Sequence, residues 1–353
     1  MRYVRVILSG YGRVGRAFAE LLVQKQDILA ERYRLSVQLA AVVDVDGAAL
    51  APQETDLLAE GLLSALPPGK GPSCFAPFGQ PDQTTPDLVA QSVADVLVEA
   101  TPTNIGDGEP GMTNVTSALE SGMHVVTAAK GPLVVAYDRL RDLARENGVA
   151  LKYSAATAAA LPALDTGLYS LAGASITKVE GVLNGTTNFI LTRMQDHGEF
   201  YEDALAEAQR RGIAETDPTL DVEGWDAATK LVLISNAVLG SSLTLDSVDV
   251  CGITGVTVER LRAAHSAGKA LKLIARATVV GENEDTVDAS VGLVELPLTH
   301  PLAHVSGAEK GVTYTTDTMD RVTVIGGKSD PRGAAAALLK DLINLSLEYG
   351  MPR

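Results

Sequence analysis

The sequence predicts an α/β protein in which a doubly wound parallel sheet is joined to a second, α+β domain. Three observations support this prediction. A short β-branched segment near the start is followed directly by a glycine-rich turn and a helical pattern. Strand and helix patterns then alternate up to about residue 150, as in parallel sheets covered by helices. Beyond that point the strand and helix patterns are grouped differently, which indicates a separate domain.

The composition is that of a globular protein. The chain has 353 residues, 46% hydrophobic and 21% charged, enough for the cores of two domains. Its formal net charge of −15 disfavours nucleic acid and anionic membranes as partners. Cys74 and Cys251 form no metal-binding or redox motif, and no apolar run reaches the ~18 residues of a membrane span. We therefore expect a cytoplasmic protein that binds neither nucleic acid nor membrane.

The first element is a strand over Tyr3–Ser9, followed by GYGRVG at residues 10–15 and a helix over Arg16–Gln24. Strand, G-x-G-x-x-G and helix in this order form the dinucleotide-binding fingerprint of Rossmann-type domains. The pyrophosphate of the dinucleotide would lie at the N-terminus of the helix, where free N–H groups point at it.

Each glycine of this loop has its own expected role. Gly10 permits the tight turn, Gly12 lets the main chain approach the pyrophosphate, and Gly15 allows the helix to pack closely on the strand. Arg13 and Val14 complete the predicted cofactor loop.

A second strand, Leu39–Val43, ends at Asp44. An acidic residue here accepts hydrogen bonds from the adenosine ribose hydroxyls and repels a 2′-phosphate, so it favours NAD over NADP. Its distance from the glycines exceeds the usual spacing of about 20 residues, which an insertion at residues 31–36 explains. The alternative is a solvated strand end without a ligand.

The remaining pattern predicts further elements in both domains. In the first domain we expect a helix over Thr55–Ser64, a strand over Val93–Glu99, a helix over Asn114–Ser121 and a strand over His124–Ala128. In the second we expect strands over Leu151–Ala155, Lys178–Leu183, Ala270–Val280 and Asp288–Leu296, and helices over Asn188–Gln195, Glu202–Arg211 and Val222–Leu239. A last helix is predicted over Pro331–Glu348.

The most informative stretch is acidic. Its five carboxylates are followed by Lys230, and they are Glu215, Asp217, Asp221, Glu223 and Asp226. Asp226 and Lys230 are four residues apart, so a helix capped by Asp221 would place them on one face. The pair is either an exposed ion pair, worth about 0.3 kcal/mol, or part of a ligand site.

The sequence around this stretch resembles homoserine dehydrogenase. Residues 184–190 read NGTTNFI, and residues 208–231 match A-x-x-x-G-[YF]-A-E-x-D-P-x-x-D-V-x-G-x-D-A-x-x-K-L almost position by position, with Ile213 in place of the aromatic residue. The resemblance extends to the nucleotide region and to HPLAHVSG at residues 300–307, and so covers nearly the whole chain.

The resemblance implies an NAD- or NADP-dependent oxidoreductase that interconverts L-aspartate 4-semialdehyde and L-homoserine in threonine and methionine biosynthesis. It also implies a homodimer, a nucleotide domain at residues 1–150 completed by residues 325–353, and a substrate-binding and dimerisation domain at residues 151–324. Two alternatives stay open: a divergent member acting on another small hydroxy or amino acid, and a non-catalytic homologue that binds nucleotide.

The same resemblance implies a set of site residues. Lys230, Asp226 and Lys130 would be catalytic, and either lysine is a candidate for moving the proton. The amino-acid substrate would contact Thr186, Glu215, Asp221, Asp226 and Lys230. The cofactor would contact Gly10, Gly12, Arg13, Val14, Gly15, Asp44, Thr101, Pro102, Lys130 and Gly327.

Three loops depart from the family pattern. The first, YSAATAAALP at residues 153–162, has alanines in place of three glycines, so we expect its conformation to differ. In some relatives this loop offers carbonyl oxygens to a sodium ion, and the corresponding positions are Ser154, Thr157, Ala159 and Leu161. The family's HPLAxVxGxxNA is HPLAHVSGAEKG here, with Glu309 and Lys310 near its end. The family's glycine-rich G-P-G-A-G is GGKSDPRGAA, whose Lys328 and Arg332 could reach the adenosine.

Overall fold

The computed structural model describes residues 1–281, 286–327 and 330–349, and its contacts divide the chain into two units. The first unit consists of Met1–Ala156 together with Pro331–Arg353, and the second of Thr157–Asp330. The divisions expected from the sequence lie six residues earlier at each boundary.

A seven-stranded sheet forms the centre of the first unit. Its strands are β1 (Arg2–Ser9), β2 (Leu35–Asp44), β3 (Gly47–Leu50), β4 (Gly79–Gln80), β5 (Val96–Glu99), β6 (His124–Thr127) and β7 (Leu151–Lys152). Their order is β4-β3-β2-β1-β5-β6-β7. Five strands, in the spatial order β2-β1-β5-β6-β7, pair with their neighbours in parallel. The short strands β3 and β4 add an antiparallel edge beside β2. The predicted doubly wound sheet is confirmed, and its strand order reverses between β1 and β5.

The helices of this unit are α1 (Arg13–Gln24), α2 (Gln26–Tyr33), α3 (Leu62–Ala65), α4 (Thr85–Ala90), α5 (Gly111–Glu120) and α6 (Gly131–Glu146). A C-terminal helix, Pro331–Glu348, packs against α1. Apolar residues of both helices share one core with β1, and Val6, Leu8, Phe18, Leu338 and Leu342 are fully buried in it.

A six-stranded mixed sheet forms the centre of the second unit. Its strands are β8 (Ile176–Val182), β9 (Val248–Val250), β10 (Lys269–Val280), β11 (Thr286–Pro297), β12 (Lys310–Thr316) and β13 (Arg321–Gly326). The order is β13-β12-β8-β10-β11-β9. β9 pairs with β11 in parallel, and the other neighbours pair antiparallel. A mixed sheet with its own helices confirms the predicted second α+β fold.

A short helix, α7 (Ser154–Thr157), contains the boundary between the units. The helices of the second unit are α8 (Ala163–Asp165), α9 (Gly185–His197), α10 (Tyr201–Arg210), α11 (Thr219–Val222), α12 (Trp225–Val238) and α13 (Val258–Ser266). Single turns of 3-10 helix occur at Pro72–Cys74, Leu245–Ser247 and Pro301–His304, and a π-helical turn occurs at Thr166–Ser170. No helix in the described ranges combines the length and apolar character that crossing a membrane requires.

Two predictions that fall on the first unit are wrong in part. The helix expected over Thr55–Ser64 is confined to α3, because Gly61, at φ +85°, is in the left-handed region just before it. The strand expected over Leu151–Ala155 was assigned to the second domain, but it belongs to the first sheet, where β7 pairs with β6 in parallel. It also ends at Lys152 and is followed by α7. There the Ser154 N–H and hydroxyl both bond Asp341 at 2.8 Å instead of continuing the sheet.

The helix expected over Val222–Leu239 is divided by Gly224. This glycine has φ +91° and is the N-cap of α12, so Asp221 lies inside α11 and does not cap the longer helix. A Cβ at position 224 would lie 3.2 Å from Val250 Cγ1, which adds a steric reason for glycine. Asp226 consequently lies in the first turn of α12, where the helix dipole favours a carboxylate.

Candidate active site

The Asp226–Lys230 pair of α12 is largely buried. The two side chains are 11% and 12% exposed, and the Lys230 ammonium donates a hydrogen bond to Asp226 Oδ2. The same ammonium donates to the Leu183 carbonyl at 3.1 Å. The pair is therefore not the exposed ion pair of the alternative interpretation. Taking both charges out of water costs free energy, which the pairing and the added hydrogen bonds offset.

Asn184 joins this pair to a second carboxylate. Its Nδ2 donates to Asp221 Oδ1 at 2.6 Å and to Asp226 Oδ2 at 2.8 Å. Its Oδ1 accepts the Thr187 N–H at 2.9 Å and thereby caps α9. Asn184 is 3% exposed, so one buried amide fixes carboxylates from α11 and α12. The sequence pattern did not predict this role, and an asparagine at a helix N-cap directly after a strand was the signal that could have revealed it.

The two carboxylates share a confined space with one ammonium. Burial and the neighbouring charge of Asp226 raise the pKa of Asp221, opposed by the Asn184 hydrogen bond, the Lys230 charge and the Thr186 hydroxyl. Thr186 is buried, and its hydroxyl also donates to the Ile213 carbonyl at 3.2 Å. With two negative groups and one positive group, the cluster suits an additional cationic group from a ligand.

Glu215 does not share this burial. It is exposed in the turn between α10 and α11, where its main-chain carbonyl accepts Gln209 Nε2 at 3.2 Å. Of the predicted substrate residues, the structure brings together Thr186, Asp221, Asp226 and Lys230 and leaves Glu215 at the surface.

The glycine loop of the first unit shows three different reasons for glycine. Gly10 has φ +90°, and a Cβ there would lie 2.6 Å from the Ala100 main chain and 2.7 Å from the Thr101 nitrogen. A Cβ on Gly15 would lie 2.0 Å from the Gly10 carbonyl oxygen. A Cβ on Gly12 would meet nothing within 4 Å, and the residue is exposed. The loop therefore packs tightly inward and is open at Gly12, where a pyrophosphate would approach.

Asp44, at the end of β2, is fixed against this loop. Its carboxylate accepts the Tyr11 N–H at 3.1 Å and the Val45 N–H at 2.9 Å. Arg13 and Val14 form the first turn of α1, which begins at Gly12 without a side-chain cap. The N-terminus of α1 and an oriented carboxylate at the end of β2 thus lie on either side of one loop, as a dinucleotide site requires.

Glu99, at the end of β5, is a fully buried carboxylate whose role the sequence pattern did not predict. Its Oε1 accepts the Thr101 N–H at 2.7 Å and the Thr101 hydroxyl, and its Oε2 accepts Asn114 Nδ2 at 2.9 Å. Burial raises its pKa, opposed by these hydrogen bonds. Glu99 therefore fixes the Thr101 main chain beside Gly10, at the strand ends where ligands bind in such sheets. A charged residue closing an apolar strand was the available signal.

Lys130 lies in the loop between β6 and α6, and this loop contacts the one that follows β5 and contains Thr101. It is partly buried and immediately precedes α6, and its N–H donates to Thr103 Oγ1 at 3.3 Å. A Cβ on Gly131 would lie 2.1 Å from the Asn104 carbonyl oxygen, so the two loops are in close contact. The predicted residues Thr101, Pro102 and Lys130 thus lie on two adjacent loops.

The predicted cofactor residues near the C-terminal end are placed differently. Gly327, at φ +68°, belongs to the second unit, and a Cβ there would lie 2.6 Å from the Leu161 nitrogen. Arg332 donates to Gln24 Oε1 at 2.6 Å, at the end of α1 about 18 Å from the glycine loop. The side chain is therefore held away from the adenosine position expected beside Asp44. Lys328 lies outside the described residues.

The alanine-rich loop adopts a backbone that was not expected of it. Ala159 has φ +52°, in the left-handed region that glycine occupies more easily. Ser154 bonds Asp341 as described above, and its hydroxyl also accepts the Lys340 ammonium at 2.8 Å. The described residues contain no group of three or more His, Cys, Asp or Glu side chains arranged for a metal ion.

A glycine-loop nucleotide site on a doubly wound sheet, with a lysine–carboxylate cluster in a second domain, defines a dinucleotide-dependent oxidoreductase. Residues 10–154 match the family model of the homoserine dehydrogenase NAD-binding domain, and residues 162–343 match that of homoserine dehydrogenase. The chain belongs to the homoserine dehydrogenase family.

Relatives of full length support this assignment. The chain is 36% identical to a homoserine dehydrogenase of Methanocaldococcus jannaschii, over 96% of this chain and 98% of the relative. It is 35% identical to an NAD(+)-dependent homoserine dehydrogenase of Pseudomonas canavaninivorans, over 98% of this chain and 97% of the relative. The crystal structure of a putative homoserine dehydrogenase from Archaeoglobus fulgidus is 33% identical in sequence and has a TM-score of 0.84. The match covers 97% of this chain and 99% of the chain in that structure. The structure of a hyperthermophilic archaeal homoserine dehydrogenase mutant in complex with NADPH is 26% identical in sequence and has a TM-score of 0.81. The match covers 99% of this chain and 100% of the chain in that structure.

Proposed function

We propose that this protein oxidises L-homoserine to L-aspartate 4-semialdehyde and catalyses the reverse reduction. The observation that carries the proposal is the buried cluster of Asp221, Asp226 and Lys230, held together by Asn184. Its excess of negative charge suits the ammonium group of an α-amino acid, and its lysine suits an oxygen that gains or loses a proton. A bound nicotinamide dinucleotide supplies the hydride acceptor or donor.

The proton step assigns different tasks to the residues of the cluster. In the oxidative direction the substrate hydroxyl loses its proton while the carbon that bears this hydroxyl loses a hydride to the nicotinamide. As the neutral amine, Lys230 accepts this proton; as the ammonium, it stabilises the alkoxide and the proton passes to solvent. In both cases Asp226 and the Leu183 carbonyl orient its side chain. Lys130 is the second candidate for the same task, because it lies on a strand-end loop of the nucleotide unit.

The substrate contacts follow from charge. Asp221, buried beside Asp226, is the anchor for the substrate ammonium, and the Thr186 hydroxyl lies next to it. Glu215 would add a second anchor from the exposed turn before α11. The geometry supports Asp221 more strongly than Glu215, because the Asp221 carboxylate is already held by Asn184 at 2.6 Å.

The cofactor is NAD or NADP, and we propose a preference for NAD. The pyrophosphate would lie on Gly10, Gly12, Arg13, Val14 and Gly15, and the adenosine ribose on Asp44. The remaining contacts of the cofactor would come from Thr101, Pro102, Lys130 and Gly327. A 2′-phosphate beside Asp44 would meet a carboxylate that two main-chain N–H groups hold in place. Arg332, held at the far end of α1, offers it no compensation.

The test is oxidation of L-homoserine by purified protein, followed by the absorbance of reduced nicotinamide with NAD and with NADP. Turnover should increase toward alkaline pH, because the oxidation releases a proton. L-Serine, L-threonine and simple amino alcohols are the comparison substrates. Faster turnover of one of these would favour the divergent-substrate alternative. Tight dinucleotide binding without hydride transfer to any substrate would favour the non-catalytic homologue.

The proposal extends to assembly and cellular role. We propose a homodimer formed through the second unit, a cytoplasmic location, and a place in threonine and methionine biosynthesis. Light scattering of the purified protein tests the dimer. Growth of a homoserine-requiring auxotroph that expresses the chain, without added threonine or methionine, tests the pathway role. A monomer in solution or a failure to support growth would contradict the respective part.

A further inference from the structure

Lys310, the first residue of β12, is one of the largest fully buried side chains of the described protein. It is 1% exposed, and its ammonium donates to the Ala158 carbonyl at 2.6 Å. A buried ammonium is costly unless hydrogen-bond acceptors surround it. Its position inside the second unit, under the alanine-rich loop, therefore calls for a reason.

Two side chains of β12 bind the segment above Lys310, one at the Ala158 carbonyl of the loop and one at the Ala163 carbonyl just after it. Lys310, Val312 and Tyr314 alternate along β12 and so share one face of the strand. The Tyr314 hydroxyl donates to the Ala163 carbonyl at 2.7 Å, so two side chains of this face bind main-chain carbonyls of one segment. Ala159, next to Ala158, is in the left-handed region. The loop thus has an unfavourable backbone that β12 holds in place.

The family resemblance places a sodium ion on the carbonyls of this loop. The residues present do not fit that ion, because an ammonium already lies at hydrogen-bond distance from the Ala158 carbonyl, between the candidate positions Thr157 and Ala159. A metal ion on neighbouring carbonyls would be repelled by this charge in a poorly solvated space. Lys310 also stands where the family pattern HPLAxVxGxxNA has asparagine, a residue that carries no positive charge.

We propose that the Lys310 ammonium takes the place of the monovalent cation, so that the loop at residues 157–161 is held by a lysine and binds neither sodium nor potassium. Both groups present a single positive charge to main-chain carbonyl oxygens. The lysine is tethered, so the loop keeps its conformation at any salt composition. The proposal concerns stability of the second unit and does not depend on the proposed reaction.

The test is thermal unfolding at constant ionic strength, with choline chloride exchanged stepwise for sodium or potassium chloride. The wild-type midpoint should not change with the cation. Lys310→Asn, which restores the family residue, should have a lower midpoint in choline and regain about 3 °C or more, saturably, with sodium or potassium. Lys272→Met is the matched control, because it removes another buried ammonium, which donates to the Val305 carbonyl at 2.6 Å and to Asn188 Oδ1 at 3.2 Å. Its midpoint should show no cation dependence.

Two results would overturn the proposal. One is a wild-type midpoint that rises saturably with sodium or potassium, which would show that the loop still binds an external ion. The other is a folded Lys310→Asn variant whose midpoint is indifferent to both ions, which would show that the ammonium does not occupy a cation position. If Lys310→Asn does not fold, the wild-type titration decides alone.

Discussion

The glycine loop of the first unit and the carboxylate cluster of the second unit are built in opposite ways. In the loop, the main chain approaches itself so closely that a Cβ on Gly15 would lie 2.0 Å from a carbonyl oxygen. In the cluster, Asp226 and Lys230 are about nine-tenths buried and rely on each other and on Asn184. The loop is therefore sensitive to added volume, and the cluster to removed charge.

Removing charge from the cluster has the largest expected effect. Lys230→Ala and Asp226→Asn should each lower kcat/KM by about 10²- to 10⁴-fold, because proton transfer and alkoxide stabilisation are lost. The losses should not multiply in the double variant, since residues that act as one unit are not independent. Dinucleotide binding should persist in all three variants. Steady-state kinetics and a dinucleotide titration measure these outcomes.

An exposed ion pair provides the matched control for the Lys230 and Asp226 variants. Lys269 and Glu295 lie 3.0 Å apart and are each 43% exposed. Lys269→Ala should change the free energy of unfolding by less than about 0.5 kcal/mol and leave turnover unaffected. Near-normal turnover of Lys230→Ala would move the proton step to Lys130.

A second buried ammonium of the same unit, that of Lys272, should make the stability of the protein depend on pH. Burial lowers the pKa of Lys272 to about 8, opposed by the charge of Asp196. Between pH 8 and the ordinary value of 10.5 the unfolded chain therefore holds more protons, and stability should rise with pH. Over that window the wild type should gain on the order of 3 kcal/mol relative to Lys272→Met. Urea unfolding of both proteins at several pH values measures the difference, and parallel curves would show that Lys272 stays charged.

Adding volume to the loop should have a somewhat smaller effect on stability. Gly15→Ala should destabilise the first unit by about 1–3 kcal/mol and weaken dinucleotide binding, because the main chain at Gly10 must shift. Gly12→Ala is the control, since its Cβ meets no protein atom within 4 Å. It should leave the unfolding midpoint unchanged and weaken binding only through contact with the ligand. Equal destabilisation by both variants would contradict the separate roles of these glycines.

The smallest predicted effect is on cofactor choice. Asp44→Ser should lower the ratio of kcat/KM for NAD to that for NADP by about tenfold, because one charged hydrogen-bond acceptor is lost and a repulsive charge is removed. Kinetics with both cofactors checks this. A wild-type protein that already prefers NADP would contradict the interpretation of Asp44.

Sequence alone was sufficient where a local pattern determines the structure. The parallel centre of the first sheet, β1, β2, β5 and β6, followed from the alternation of strand and helix patterns, whereas its edge strands β3, β4 and β7 did not. The long C-terminal helix was predicted with its observed bounds, Pro331–Glu348. The pairing of Asp226 with Lys230 followed from helical spacing, although their burial did not. Helix starts were less certain, because a left-handed glycine such as Gly224 divides a pattern that otherwise looks continuous.

The parts that escaped prediction depend on contacts between distant residues. The link from Asn184 to Asp221 spans 37 positions, and the bond from Lys310 to Ala158 spans 152. Nothing in the composition near Lys310 indicates that its charge is buried, since lysine is usually exposed. The burial of Glu99 likewise depends in part on a partner elsewhere in the fold, Asn114 on α5, although its bonds to Thr101 are local.

The C-terminal helix has a consequence for how the protein is made. Leu338 and Leu342 lie in the same core as Val6, and Arg2 Nη1 donates to the Ser346 carbonyl at 2.9 Å. A ribosome releases the chain from its N-terminus at about 5–20 residues per second, so the second unit, Thr157–Asp330, takes roughly 9–35 s to emerge. During that time the nascent dinucleotide-binding sheet lacks its closing helix and exposes apolar surface. The contiguous second unit is thus the one able to complete its fold first, and the earlier-made sheet is the natural client for a chaperone.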